Sequence, residues 1–271
     1  MNPFVVDLSL SFVLGGLWVA LASVAAQRFG GKIGGFIAGL PVTAVIAIFF
    51  ITWSEGARHG YDVTQVFPLT ISANALFLAA YAAFSRKSFL AGLGAALVIW
   101  TTAAAALLMV RPLEFWLSLS IGVAVFIASA LFTARLKIPD PGQRPVTQST
   151  GEIAVRAVAG GSIIAAALMG SHWGGPALGG ILSAFPATVL ATLVITATCG
   201  GRDVCRIMAL PMMTSGVVNC IVFALVFRQV VLQMHVIAAV GLAYGVTMLS
   251  SILTFYWMNV YRRERVAAIP G

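Results

Sequence analysis

Apolar stretches long enough to cross a bilayer recur along the 271 residues, separated by short polar breaks. At roughly 20 residues per crossing helix, the pattern predicts nine spans, over 5–26, 33–53, 64–84, 89–110, 113–134, 152–170, 177–199, 205–227 and 231–260. Eight or ten spans also fit, because the last stretch is long and no turn signal divides it. Its end, with Tyr256, Trp257 and Tyr261 followed by Arg262 and Arg263, reads as an interfacial anchor. The only long polar segment, KIPDPGQRPVTQSTGE at 137–152, has the Pro, Gly and Ser/Thr content of a module boundary.

Composition moves the reading from "apolar" to "membrane". Hydrophobic residues make up 60% of the chain and charged residues 9%, outside the range of soluble domains. The fold class expected is an all-α integral membrane protein. The formal charge of +8 would suggest nucleic acid only if the basic residues shared one solvated face. They follow topology instead. With nine spans and the N-terminus outside, only Arg58, Arg111 and Arg228 of the 16 basic residues face out, and thirteen face in. The expected location is a plasma membrane, the inner one of a bacterium, with the C-terminus cytoplasmic. Lipids are then expected neighbours and nucleic acid is not. The first span has no basic segment before it and reads as a retained helix. Cys199, Cys205 and Cys220 lie in or beside spans without metal-ligand spacing, as small packing residues do.

The chain also repeats itself. An offset of 145 pairs Gly15-Gly16 with Gly160-Gly161, Gly34-Gly35 with Gly179-Gly180, Pro41 with Pro186, Thr43 with Thr188 and Gly56 with Gly201. The hinges Phe29-Gly30-Gly31 and Trp173-Gly174-Gly175 match after one-residue shifts, and Pro68 and Ser72 match Pro211 and Ser215 at 143. In that register Asn74 and Asn219 do not align. Spans 1–3 thus recur as 6–8, span 9 repeats span 4 more weakly, and span 5 is unpaired. Five crossings separate span 1 from span 6, so equivalent helices run in opposite directions. The expected architecture is a 4+1+4 inverted repeat: a first four-helix module at 1–112, a connecting helix and loop at 113–151 and an inverted module at 152–271.

Pro41 and Pro186 fall inside their spans, where each removes an N–H and disturbs the turn before it. Paired Gly/Pro interruptions in two halves point to a binding site near the bilayer midplane. The candidate substrate-binding set is therefore Gly35, Pro41, Thr43 and Ser72 in one half and Gly180, Pro186, Thr188 and Ser215 in the other. The plainer reading is close helix packing through Gly31, Gly35, Gly39, Gly175 and Gly179, with simple kinks at the prolines. Asp7 and Glu152 also stand 145 apart, and are candidate gating carboxylates. Helix-start carboxylates, with Glu152 paired to Arg156, explain them more simply. Trp18 and Trp100 sit deep, where packing is their ordinary role.

The phrases GGFIAGLP at 34–41 and GGILSAFP at 179–186 resemble those of the small GlpM-type membrane proteins, a four-helix family. The resemblance covers each half separately, implies a four-span module, and carries no activity with it. Fusion and the fifth span depart from it.

Nucleotide-binding, zincin and nucleophile-elbow motifs are absent, and no titratable cluster suggests an enzyme. No cofactor and no metal are expected. Ionisable residues are scarce at mid-span, which favours a small neutral or amphipathic cargo. The expectation is a secondary transporter or flippase-like permease for a small molecule or lipid. A non-transporting membrane subunit or scaffold is the alternative, with a homo-oligomer or a membrane protein as partner. In a carrier, Thr43, Thr188, Ser72 and Ser215 should face one cavity; in a scaffold they would point into helix contacts.

Overall fold

The computed structural model describes residues 3–29, 41–109, 113–136, 138, 149–200 and 202–267. In chain order the helices are α1 (Pro3–Phe29), α2 (Val42–Glu55), α3 (Ala57–Val63), α4 (Phe67–Phe84), α5 (Phe89–Met109), α6 (Phe115–Arg135), α7 (Thr150–Ser183), α8 (Ala187–Gly200), α9 (Arg202–Val230) and α10 (Val236–Ala267). The described residues contain no strand, and seven helical stretches among them are long and apolar enough to cross a membrane.

α4 is the hub. In its apolar stretch 72% of residues are buried, against 22% in α1, α5, α6 and the apolar part of α10. Those four helices therefore carry the outer surface, where Leu17, Val98, Leu131 and Ile252 are exposed. An outer surface this apolar suits lipid as solvent. α9 packs against α4 with Phe223 and Phe227 buried. α5 lies on α4 and α10 on α9, while α6 packs mainly on α4.

Glycine brings α1 and α7 together. A methyl group on Gly16 would stand 2.8 Å from the Ala157 carbonyl oxygen, and one on Gly161 would stand 2.5 Å from that of Phe12. A methyl on Gly15 would meet Ile164, and one on Gly160 would meet Val19. Backbones this close leave room for hydrogen only, the small-residue packing that membrane helices use. At the start of α1, Phe4 stacks on His172 with ring centroids 3.9 Å apart, so the two helices run antiparallel.

α7 reverses at Gly175, whose φ of 81° is open to glycine and strained for other residues. Pro176 then starts the returning segment, where its missing N–H costs nothing. The return is tight: a methyl on Gly179 would fall 2.6 Å from Ser171 Cβ. The reversal lies within the Trp173–Gly175 hinge read from the sequence. Helical structure stops again at Ala184–Pro186 and resumes as α8, so the predicted span 177–199 is two pieces.

α2 and α8 each have 14 residues, begin directly after Pro41 and Pro186, and have bounds that differ by 145 at both ends. Each is about 21 Å long at 1.5 Å per residue, short of a bilayer's hydrocarbon thickness. The residues before Pro41, including the first part of the predicted span 33–53, lie outside the described residues. After α2, α3 and a turn at Thr64–Val66 come before α4, whereas α9 runs straight through Pro211.

Candidate functional site

The two helix starts meet at one cavity of about 90 Å³. Pro41, Thr43 and Ala44 line it from α2, and Pro186, Thr188 and Val189, each 145 residues on, line it from α8. α4 contributes Ile71, Asn74 and Leu78, and α9 contributes Met213, Val217 and Cys220 among others. The volume suits a few water molecules or a small group.

The chemistry at the cavity comes from the breaks. The Val45 N–H donates to the Pro41 carbonyl at 3.0 Å and the Leu190 N–H to that of Pro186 at 2.8 Å, opening each helix. Upstream N–H groups of a helix's first turn have no helical acceptor. The break before α8 also frees the Ala184 carbonyl, which accepts from Asn74 Nδ2 at 3.0 Å. Asn74 Oδ1 in turn accepts from Trp100 Nε1 at 2.8 Å. Trp100 also meets Phe185 edge-on, with centroids 5.0 Å apart. This buried chain repairs the break from two neighbouring helices.

Thr43 is buried, whereas Thr188 is exposed. One turn beyond Thr188, Thr192 donates to its carbonyl at 2.7 Å and accepts from Arg156 Nη2 at 3.2 Å. Thr192 also lines the cavity. The polar edge of the site thus runs from Thr188 to Arg156.

The other candidates lie elsewhere. Ser72 is fully buried, donates to the Pro68 carbonyl at 2.8 Å, and touches α6 where a methyl on Gly122 would stand 2.9 Å from its hydroxyl. α6 covers this face of α4, where Ser72 packs in a helix contact. Ser215 accepts from Asn219 Nδ2 at 3.4 Å and does not line the cavity. A methyl on Gly180 would be 2.7 Å from the Val63 carbonyl oxygen, so this glycine lets α7 approach the turn before α4. Gly35 lies outside the described residues. Asp7 is half-buried in α1 and is not part of the lining. Glu152 completes a capping box: its Oε2 accepts from the Ser149 N–H at 2.6 Å, and its own N–H donates to Ser149 Oγ at 3.3 Å. The expected Glu152–Arg156 pair does not form, because Glu152 turns back to the cap and Arg156 reaches Thr192.

Asn74 and Asn219 stand 145 apart after all. Each bonds the helix that follows its own: Asn74 to Trp100 of α5, and Asn219 Nδ2 to Ser251 Oγ of α10 at 3.0 Å. The 143 register of the adjacent Pro and Ser pairs obscured this relation.

At the face where α1 begins, contacts distant in sequence join the elements. His172 Nδ1 meets Glu55 Oε1 at 2.6 Å, and His59 Nε2 meets Ser171 Oγ at 2.9 Å. Arg228 donates to the Tyr61 carbonyl at 3.0 Å and the Thr64 hydroxyl at 2.9 Å. Its guanidinium lies 3.7 Å from the Tyr61 ring centroid and 4.7 Å from that of Phe115. At the opposite face Arg206 donates through Nε to the Ala82 carbonyl at 3.0 Å and pairs with Asp203 at 3.3 Å. Apart from Asp203 and Arg206, three residues apart on one helix, these pairings have no local sequence signal beyond the residue types themselves. A larger groove of about 240 Å³ between α4, α5 and α6 is lined by Leu, Ala and Val alone and has no converging polar groups.

Residues 8–113, from α1 to just beyond α5, match the model of a family described as "Protein of unknown function (DUF3147)". This similarity covers under half of the chain, and it is to an uncharacterised family. It makes no link to GlpM-type proteins, so that resemblance rests on GGFIAGLP and GGILSAFP alone. No curated protein and no solved structure matches the chain.

Proposed function

We propose that this chain is a secondary transporter or flippase-like permease built as a 4+1+4 inverted repeat of nine crossings. The stretch from Thr150 to Val194 contains the Gly175 reversal and is counted as two crossings, and the sequence-predicted span 33–53, of which α2 is the described part, as another. Reciprocity supports the inversion: Gly16 under Ala157 and Gly161 under Phe12 are one contact written twice at an offset of 145. Such self-complementary contacts mark a twofold axis. With α1 and α7 antiparallel, that axis lies in the membrane plane.

The observation that carries function is the cavity walled by two helix starts, after Pro41 and after Pro186. Discontinuous helices at a repeat interface are where secondary carriers place substrate. The Glu55–His172, His59–Ser171 and Arg228 contacts would close the face where α1 begins, leaving the Thr188–Thr192 edge as the approach from the other. Positive-inside counting makes the closed face external. Rocking one four-helix module against the other would exchange the two openings. The scaffold reading draws on Ser72, which serves helix packing as that reading expects.

Native mass spectrometry of the gently extracted protein tests the choice. A stoichiometric small molecule or lipid, lost when Thr43 and Thr188 are both changed to Val, is the expected result. A stoichiometric protein partner in place of such a ligand would favour the scaffold.

A further inference from the structure

Three arginines sit among the packed helices, and their charges are met differently. Arg206 has Asp203 and a carbonyl; Arg228 has a carbonyl, a hydroxyl and two aromatic rings. Arg156 has one hydroxyl, that of Thr192, at 3.2 Å. Its Nε is enclosed and has no acceptor, and no carboxylate pairs with it among the described residues. Glu152, one turn away, attracts the guanidinium across space but is bonded to the Ser149 cap. A cation held within a spanning segment with no carboxylate in direct contact is costly, and such residues usually mark a ligand or ion path.

We infer that Arg156 binds an oxyanion of phosphate type at the mouth of the cavity, with Thr192 orienting the guanidinium. Nε and Nη2 share the edge of a guanidinium that grips two oxygens of one anion. Here Nη2 carries the weak Thr192 contact and Nε carries nothing, so an arriving anion completes that edge. Arg156 is about 9 Å along α7 from its first residue, at 1.5 Å per residue. That depth suits either a lipid headgroup entering laterally or a soluble phosphate compound entering from water. The inference rests on the permease reading for its meaning as a substrate site, and it narrows the expected cargo from neutral or amphipathic to phosphate-bearing.

The test uses the full chain in mild detergent, comparing wild type with Arg156→Gln, Arg156→Lys and Thr192→Val, and with Arg86→Gln as the exposed control. Phosphatidylglycerol, against phosphatidylcholine, is titrated by native mass spectrometry, and inorganic phosphate by calorimetry. Wild type and Arg86→Gln should bind one of the two anionic probes saturably. Arg156→Gln should bind it about tenfold or more weakly, the size expected for losing a charged hydrogen-bond donor. Thr192→Val should lose a few-fold. Retention of the lipid identifies a headgroup site; binding of inorganic phosphate identifies a solute site. Unchanged affinity in Arg156→Gln, or no binding of either probe by wild type, overturns the inference. Should Arg156→Gln not fold by circular dichroism, unchanged affinity in both Thr192→Val and Arg156→Lys overturns it equally. Binding is read without transport, so an anion site can survive in a protein that transports nothing, and a carrier can survive the loss of this site.

Discussion

Gly16 and Gly161 each lie beneath a carbonyl of the other's helix, and the two carbonyls, Ala157 and Phe12, are themselves 145 residues apart. One change at either glycine should therefore have the same consequence. Gly16→Ala and Gly161→Ala are each expected to cost about 1–3 kcal/mol, the usual range for forcing atoms into a packed contact. Because both act on one crossing, the double variant should cost less than the two together. Unfolding midpoints in detergent check this, and an unperturbed midpoint in either single variant contradicts the close crossing.

Asn74 serves two partners at the helix break, the Ala184 carbonyl and the Trp100 N–H. Asn74→Ala leaves both buried and unpaired and should destabilise by about 2–6 kcal/mol, at about 1–3 kcal/mol per orphaned group. Trp100→Phe removes one donor and keeps most of the ring packing, so it should cost less than half as much. Equal losses would mean that the tryptophan ring and not the hydrogen-bond chain supports the break.

How much of this was legible in the sequence depends on the range over which each signal acts. Pro41 and Pro186 act locally, on their own backbone and the turn before, so the starts of α2 and α8 could be read from the chain. Gly175 is likewise local, because its turn needs a residue that tolerates positive φ. Ser72 could not be read in the same way. Its surroundings are decided by α6, a helix distant in sequence that packs over Ser72, while Ser215 meets Asn219 on its own helix. Glu55 and His172 are 117 residues apart, and no periodicity in either segment records that the ends of α2 and of the first limb of α7 share a face. Arg156 appeared in the sequence only as a helical partner for Glu152, since the capping box at Ser149 competes for that carboxylate in a way that spacing alone does not reveal.

Arg228 lies between two rings and donates to the turn ahead of α4. Arg228→Lys keeps the charge but loses the planar stack and the fork, and should cost about 1–2 kcal/mol. Thermal unfolding measures it, and a lysine variant as stable as the parent would reduce this clamp to simple charge.

Pro41→Ala together with Pro186→Ala should lower movement of the cavity's ligand by about tenfold or more while protein abundance in the membrane stays close to the parent. Alanine supplies the N–H that each proline lacks and removes the proline ring from the helix start at the cavity, so folding should not suffer. Flux in reconstituted vesicles, alongside abundance in the membrane, separates the two effects. Full flux in the double variant would remove the broken helices from the mechanism.

The central claim, a cavity opened in turn to each side, is tested most directly by side-specific labelling. In a variant with the native cysteines replaced, a single cysteine at Thr188 is exposed to a membrane-impermeant thiol reagent on either side of sealed vesicles. Cysteines at Glu55 and His172, crosslinked before labelling, then tie the face where α1 begins. The account predicts labelling from both sides before crosslinking and from the opposite side alone afterwards. Labelling that is absent from both sides, or that the crosslink does not change, would contradict it.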